Sequence, residues 1–395
     1  MNQKSFREVV QKYTNELERS TIPYQFIEET ALILQGVSIE HENQLIILIQ
    51  WDLLESVYEK YEAYSPSEIK KDQFAASFTF YDDNYHIQFR CVFNTTVKTD
   101  PYRIKVDVGG TEVWCKSLYA YIYDDRYYFS KTRIEEFLLE KQHDMTSSNE
   151  QAWNQNNFQA LIQRFGEPEH AADKIKQNPD WRLHPYRKYL GDLSSKRVIH
   201  LLGSNGVKGV AMALLGADVT IVDFSKENQK YAKEVAKAAD SRLNYILSDA
   251  LSLPMYNVGE FDIVLMELGV LHYFVDLKSL AVLIRDLLNE NGKFILHEFH
   301  PISTKLITSS GKKHKVTGNY FDPSIKTLDV AFTKHMPEEN KQDLAKVYQR
   351  QWTIGEVVTI LADAGLFIEV LEEEPNHKVH DMGLPKTYTM VLSRR

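Results

Sequence analysis

Apolar residues recur at helical spacing through Phe6, Val9, Val10, Tyr13 and Leu17, which predicts an opening helix. Short runs rich in β-branched and aromatic residues follow at Thr30 to Val37, Gln44 to Trp51, Ala75 to Tyr81, His86 to Asn94, Ile104 to Val108 and Glu112 to Cys115. These read as strands, with turns at Asp82-Asp83-Asn84 and Gly109-Gly110 and a second helix over Asp52 to Tyr64. The pattern predicts a small α+β domain over residues 1–140. Lys141 to Glu150 is polar and lacks periodicity, so residues 141–151 are expected to be a linker.

From Arg197 onward the pattern changes to strict alternation. Strands are predicted at Val198 to Leu202, Asp218 to Val222, Asn244 to Leu247, Ile263 to Glu267, Lys293 to Glu298, Phe367 to Glu372 and Tyr388 to Leu392. Helices are predicted near Lys208 to Leu215, Lys226 to Ala239, Leu277 to Asn289 and Ile354 to Ala364, after helical stretches at Ala152 to Phe165 and Pro185 to Leu190. Such alternation predicts an α/β fold over residues 152–395, a doubly wound and mostly parallel sheet with helices on both faces. Pro301 to Lys346 has poor periodicity and reads as a helical insertion or lid.

Composition narrows the class. The 395 residues exceed one ordinary core and fit two domains, and 43% hydrophobic with 26% charged residues is the balance of a soluble globular chain. A net charge of -9 disfavours nucleic acid as a partner, since phosphate binding needs a basic face. Cys91 and Cys115 are the only cysteines, too few for a disulfide framework, so a reducing cytosol is expected. The longest apolar run, Leu45 to Ile49, is far too short to span a bilayer.

In an open parallel sheet, ligands bind beyond the carboxyl ends of the strands where strand order reverses. The first strand ends in Leu202-Gly203-Ser204-Asn205-Gly206, small residues that let a ligand approach the backbone at a helix start. The second ends in Val222-Asp223-Phe224-Ser225, placing a carboxylate where a ribose would present two hydroxyls; the competing reading makes Asp223 a cap of the next helix. The third leads to Ser248-Asp249-Ala250, suited to an adenine amine and ring nitrogen. The fourth leads to Glu267-Leu268-Gly269-Val270-Leu271-His272.

In this order, Val198 to Gly206, Asp223, Asp249, Phe261 to His272 and Gly292 to Leu296 resemble the motifs of class I S-adenosylmethionine-dependent methyltransferases. The resemblance extends over about residues 153–395 and implies a Rossmann-like sheet and S-adenosyl-L-methionine as cofactor. It assigns cofactor contacts to Gly203, Ser204, Asn205, Gly206, Asp223, Phe224, Ser225, Asp249, Ala250, Glu267 and Leu268, and it implies a small-molecule acceptor. One departure stands out. The family's first motif has an acidic residue in the strand and three glycines in its turn, where this chain has His200, Leu202, Ser204 and Gly206. Gly203 and Asn205 are expected to supply the special backbone conformations in a shifted turn.

The sulfonium methyl is already electrophilic, so the protein must chiefly align an acceptor and take its proton. His300 is the first candidate base and His272 the second. Strand alternation puts His297 and Phe299 on one face and Glu298 and His300 on the other, which argues against a shared metal site. Residues 1–140 are similar in layout to a degenerate nucleotidyltransferase fold. Leu45 and Ile47 stand where that family holds paired aspartates, so nucleotidyl transfer is not expected. The alternatives to a methyltransferase are a non-catalytic ligand-binding or scaffold protein and a nicotinamide-dependent dehydrogenase, the latter disfavoured by the absence of a complete G-x-G-x-x-G.

Overall fold

A capping box opens helix α1 (Phe6–Arg19): Ser5 Oγ accepts the Glu8 amide while the Glu8 carboxylate accepts that of Ser5. Its Val9, Val10, Tyr13 and Leu17 face inward. They meet a sheet made from β1 (Tyr24–Phe26), β2 (Gln44–Ile49), β3 (Lys70–Lys71), β4 (Ala75–Asp82), β5 (Tyr85–Val92), β6 (Arg103–Asp107) and β7 (Glu112–Lys116), ordered β3-β4-β5-β2-β1-β7-β6. Phe78, Phe80, Phe89 and Tyr61 stack along its core, with Tyr13 packed edge-on or tilted against them. Helices α2 (Glu28–Leu34), α3 (Leu54–Lys60) and α4 (Tyr119–Ile122) complete this unit.

The run Thr30 to Val37, expected as a strand, is instead mostly α2. Glu28 and Glu29 in its first turn favour a helix N-terminus, and a short apolar run does not distinguish a buried helix from a buried strand. Thr30 Oγ1 accepts the Ile46 amide at 2.9 Å and ties α2 to β2. Leu45 and Ile47 are fully buried.

This computed structural model describes residues 5–40, 43–122, 127–310, 313–375 and 383–394. The chain divides into two units, residues 1–140 with 321–324 and residues 141–320 with 325–395. The polar stretch expected as a linker is helical, being part of α5 (Tyr128–Trp153). Its second half is fixed by polar bonds in place of an apolar stripe. Gln142 Nε2 donates to the Tyr273 carbonyl at 3.0 Å and its Oε1 accepts the Val275 amide at 2.8 Å, while Asn149 bonds both backbone groups of Tyr348. That is why the run shows no hydrophobic period.

The second unit continues with α6 (Asn157–Phe165), α7 (Pro168–Gln177), α8 (Pro179–Arg182) and α9 (Arg187–Leu190). Strands and helices then alternate: β8 (Arg197–Leu201), α10 (Val207–Leu214), β9 (Asp218–Asp223), α11 (Lys226–Ala238), β10 (Asn244–Leu247), α12 (Met255–Val258), β11 (Phe261–Glu267), α13 (Lys278–Leu287) and β12 (Leu288–Phe299). Among its described residues the insertion expected to be helical forms no α-helix, only short 3₁₀ turns at Thr333–His335 and Glu338–Asn340 and the elements that follow. These are a π turn at Ile302–Leu306 and two short antiparallel pairs, β13 (Ile307–Ser310) with β14 (Lys313–Val316) and β15 (Ile325–Leu328) with β16 (Val347–Arg350). Helix α14 (Ile354–Asp363), β17 (Leu366–Pro375) and β18 (Pro385–Arg394) close the unit.

The sheet has seven strands in the order β10-β9-β8-β11-β12-β18-β17, parallel as far as β12 and antiparallel beyond it. Alternation sorts its side chains onto two cores. Ile199, Leu201, Val264 and Met266 pack with α13 and α14, whereas Val198, Ile221, Leu265 and Ile295 pack with α7, α10 and α11. Chain order reverses between β8 and β11, which opens a crevice beyond their carboxyl ends.

Candidate functional site

The turn after β8 holds backbone strain. Leu202, Ser204 and Gly206 have φ of 50°, 48° and 73°. Positive φ thus occurs where the resembled family has glycines, not at Gly203 and Asn205 as the shifted turn requires. Side chains other than glycine pay roughly 1–2 kcal/mol for this left-handed geometry, so the surroundings must impose it. They do. Asp223 accepts the Ser204 amide at 3.0 Å and the Tyr245 hydroxyl donates to the Ser204 carbonyl at 2.8 Å. Gly203 serves close packing, since a Cβ there would lie 2.8 Å from Ile221 Cγ2 and 3.0 Å from the His200 ring. Asn205 Oδ1 accepts the Val207 amide at 3.1 Å, and Gly206 leaves room for Ala232 at the start of α10.

Asp223 ends β9 and is 8% exposed. Its carboxylate accepts the Ser225 amide at 2.9 Å, Asn228 Nδ2 at 3.2 Å and the Ser204 amide. Burial raises its pKa, and these three donors work against that rise. The cap of α11 is Ser225, whose hydroxyl accepts the Asn228 amide and donates to the Trp153 carbonyl.

Across the reversal, β11 delivers Glu267 onto the same sheet face as His200. Glu267 accepts the Tyr186 hydroxyl at 2.9 Å, lies 3.5 Å from Lys208 Nζ and is 3.8 Å from His200 Nε2. Burial pushes its pKa up, but the Lys208 ammonium, His200 and the Tyr186 hydroxyl outweigh that and hold it below the ordinary value. His200 is 1% exposed and neither ring nitrogen has a hydrogen-bond partner. Desolvation drops its pKa to about 4, so it is neutral at physiological pH and Lys208 supplies the charge that keeps Glu267 ionised. The sequence reading missed Tyr186 and Lys208 as partners of Glu267; the signal was Lys208 in the first turn of a helix that opens on the crevice.

Asp223, His200, Lys208 and Glu267 line a cavity of about 600 Å3, reached also by Leu202, Gly203, Ser204, Asn205 and Phe224, and by Leu268, where φ is 52°. Asp249 and Ala250 line a smaller adjoining pocket of about 10 Å3, which shares Leu202, Asp223, Phe224 and Tyr273 with the larger one and is walled by Gln142, Thr146 and Asn149 of α5. Burial raises the pKa of Asp249, opposed by the Ser252 hydroxyl and local amides. Gly206 and Ser225 reach neither space.

The two proposed bases separate. His272 lines the large cavity, and desolvation lowers its pKa against the pull of Glu298. His300 does not reach it. Strand alternation turns His300 to the opposite face, where Nδ1 accepts the Ile302 amide at 3.1 Å and Nε2 lies 2.6 Å from Glu373. Glu298 accepts the amides of Val270 at 3.0 Å and Leu271 at 3.3 Å, as well as that of Gly269, and so holds the loop that carries His272. His297 bonds Thr389 through Nδ1 at 2.9 Å, and burial lowers its pKa to about 4. Among the described residues no group of three or more His, Cys, Asp or Glu could hold a metal ion.

The strand order, the crevice at its reversal and the acidic end of β9 meet in one segment of sequence, and residues 202–296 match the methyltransferase domain family. This segment is a class I methyltransferase domain. The ubiquinone biosynthesis O-methyltransferases of Bordetella avium and Bordetella pertussis are 28% and 27% identical to this chain over 107 residues. That overlap is 27% of this chain and 44% of each relative, so the chain spans less than half of their length. Among solved structures, an S-adenosylmethionine-dependent methyltransferase from Mesorhizobium loti aligns with TM-score 0.43 and 20% identity, covering 56% of this chain and 100% of that one. Magnesium protoporphyrin IX methyltransferase from Synechocystis aligns with TM-score 0.39 and 14% identity, covering 62% and 95%.

The cofactor of such a domain is S-adenosyl-L-methionine, and the residues present fit it. Two buried nitrogens of His200 and the buried Ser204 hydroxyl lack partners beside the cavity. Buried polar groups left unsatisfied in a native fold call for a ligand or water. The methyltransferase domain thus keeps its polar donors free where a polar ligand fits.

Proposed function

We propose that this chain transfers the methyl group of S-adenosylmethionine to a hydroxyl of a small molecule, with His272 as the base. The carrying observation is the cavity of about 600 Å3 at the strand reversal of the methyltransferase domain, with Asp223 and His272 both in its wall. Asp223 would take the ribose hydroxyls, Asp249 and Ala250 the adenine, and the turn at Leu202 to Asn205 the backbone contacts. The cofactor supplies an electrophilic methyl on sulfur.

The chain's own residues do the rest. Phe165, Trp181, Phe299 and Phe332 give the remainder of the cavity flat apolar walls, which favour a planar acceptor and exclude water. His272, with its lowered pKa, is neutral near pH 7 and can accept the hydroxyl proton as the oxygen attacks. An oxygen acceptor is also the chemistry named for the Bordetella relatives. Among the described residues no helix is long and apolar enough to cross a membrane, and Cys91 and Cys115 are unpaired, in keeping with our assignment to the cytosol. The buried Leu45 and Ile47 leave the amino-terminal unit without a carboxylate pair on β2, so we read it as a module that selects the acceptor.

Titration calorimetry with S-adenosylhomocysteine tests the reading. Micromolar binding is expected, and no heat up to millimolar concentration contradicts it.

A further inference from the structure

The strand order carries one more step, which rests on the reading above. Across the tips, β10 presents Asp249, β9 presents Asp223, and β8 with β11 present His200 and Glu267. A ligand with its adenine at β10 and its ribose at β9 must lay whatever extends from the ribose over β8 and β11. In S-adenosylmethionine that extension is an amino acid, with one ammonium and one carboxylate. The crevice wall there holds one anion and one cation side by side, Glu267 and Lys208, 3.5 Å apart. Next to them sits the imidazole of His200, buried and with neither nitrogen engaged.

We propose that the Glu267–Lys208 pair is a receptor for a zwitterion: Glu267 takes the ammonium, Lys208 takes the carboxylate, and His200 completes the ammonium's hydrogen bonding. The structure argues for this in three ways. Glu267 is anchored through Oε2, which accepts the Tyr186 hydroxyl and lies 3.5 Å from Lys208 Nζ, and this leaves Oε1 toward His200 at 3.8 Å. His200 replaces an acidic residue of the resembled motif, so β8 offers no carboxylate and the carboxylate beside His200 in the cavity wall is Glu267 of β11. An imidazole kept neutral adds an acceptor for N–H without adding a charge that would compete with the ammonium. The charge that recognises the amino acid has therefore moved by one strand.

The test compares two ligands on the full chain by calorimetry. S-adenosylhomocysteine carries the amino acid, whereas 5′-methylthioadenosine carries the same adenosine without it. The wild type is expected to prefer the former by roughly 100-fold, and Glu267→Gln and Lys208→Met are each expected to cut that preference by roughly 10-fold, as charge-assisted bonds are lost. His200→Leu should cut it less. Binding of 5′-methylthioadenosine should stay unchanged in all three variants, which also shows that they fold. Equal affinity for the two ligands in the wild type, or an undiminished preference in the Glu267 and Lys208 variants, overturns the receptor while leaving the methyltransferase reading intact. If neither ligand binds the wild type, both fall.

Discussion

The ends of β8 and β12 lie on one sheet yet treat polar groups in opposite ways. At the end of β12 the polar residues are engaged: His297 with Thr389, Glu298 with backbone amides of residues 269–271, and His300 between the Ile302 amide and Glu373. At the end of β8, His200 and the Ser204 hydroxyl have no partner, and two residues other than glycine hold positive φ. A buried polar group with its bonds filled stiffens a fold, whereas one left open beside a cavity is poised for a ligand. On this comparison we read the histidine-rich end of β12 as a scaffold and propose the turn after β8 as the binding surface.

The largest effect should separate His272 from His300. His272→Ala is expected to lower kcat by roughly 10²–10⁴-fold with S-adenosylhomocysteine affinity unchanged, the range for loss of a general base. His300→Ala should leave kcat near the wild type. Steady-state kinetics on both variants checks this, and equal losses would erase the contrast.

A pH titration of stability comes next. His200 and His297 have folded pKa values of about 4 against an ordinary 6.5. Between those values the unfolded chain binds more protons than the folded one, so stability is lost as pH falls from about 6.5 toward 4. Each histidine contributes at most about 3 kcal/mol. Urea denaturation across this range should show the decline, and His200→Leu should make it shallower. A flat profile would mean that His200 is not held neutral by burial.

Glu298→Gln probes the scaffold. Removing one charged acceptor from several amides is expected to cost about 1–3 kcal/mol of stability while S-adenosylhomocysteine affinity is preserved. The smallest effect concerns strain. Ser204→Gly should raise stability by up to about 1 kcal/mol, since glycine adopts positive φ freely, and should weaken cofactor binding through the lost hydroxyl. Denaturation and calorimetry on the same sample read both. A loss of stability in Ser204→Gly would show that the turn is not strained.

Much of the α/β unit was legible because buried parallel strands are continuous apolar runs and the helices between them carry a clean period. Asp223, Asp249 and Glu267 could be located by their places at strand ends. The rest depended on three dimensions. Thr30 to Val37 is too short for its pattern to separate helix from strand. Lys141 to Glu150 looked like a linker because Gln142 and Asn149 hold their helix through backbone groups of residues far along the chain. The turn after β8 was misplaced by assuming that positive φ follows glycine and asparagine; Asp223 and Tyr245 impose it on Leu202 and Ser204 instead. His300 was preferred as base by its position at a strand end, though the alternation that faces it away was also readable.

The central claim is that adenosine lies in the crevice with its ribose on the β9 carboxylate. Calorimetry of Asp223→Asn with S-adenosylhomocysteine tests it most directly, because asparagine keeps the shape but not the charge. The account predicts affinity weaker by roughly 100-fold, the worth of a bidentate charged contact, in a chain that still unfolds cooperatively. Wild-type affinity in that variant would contradict it.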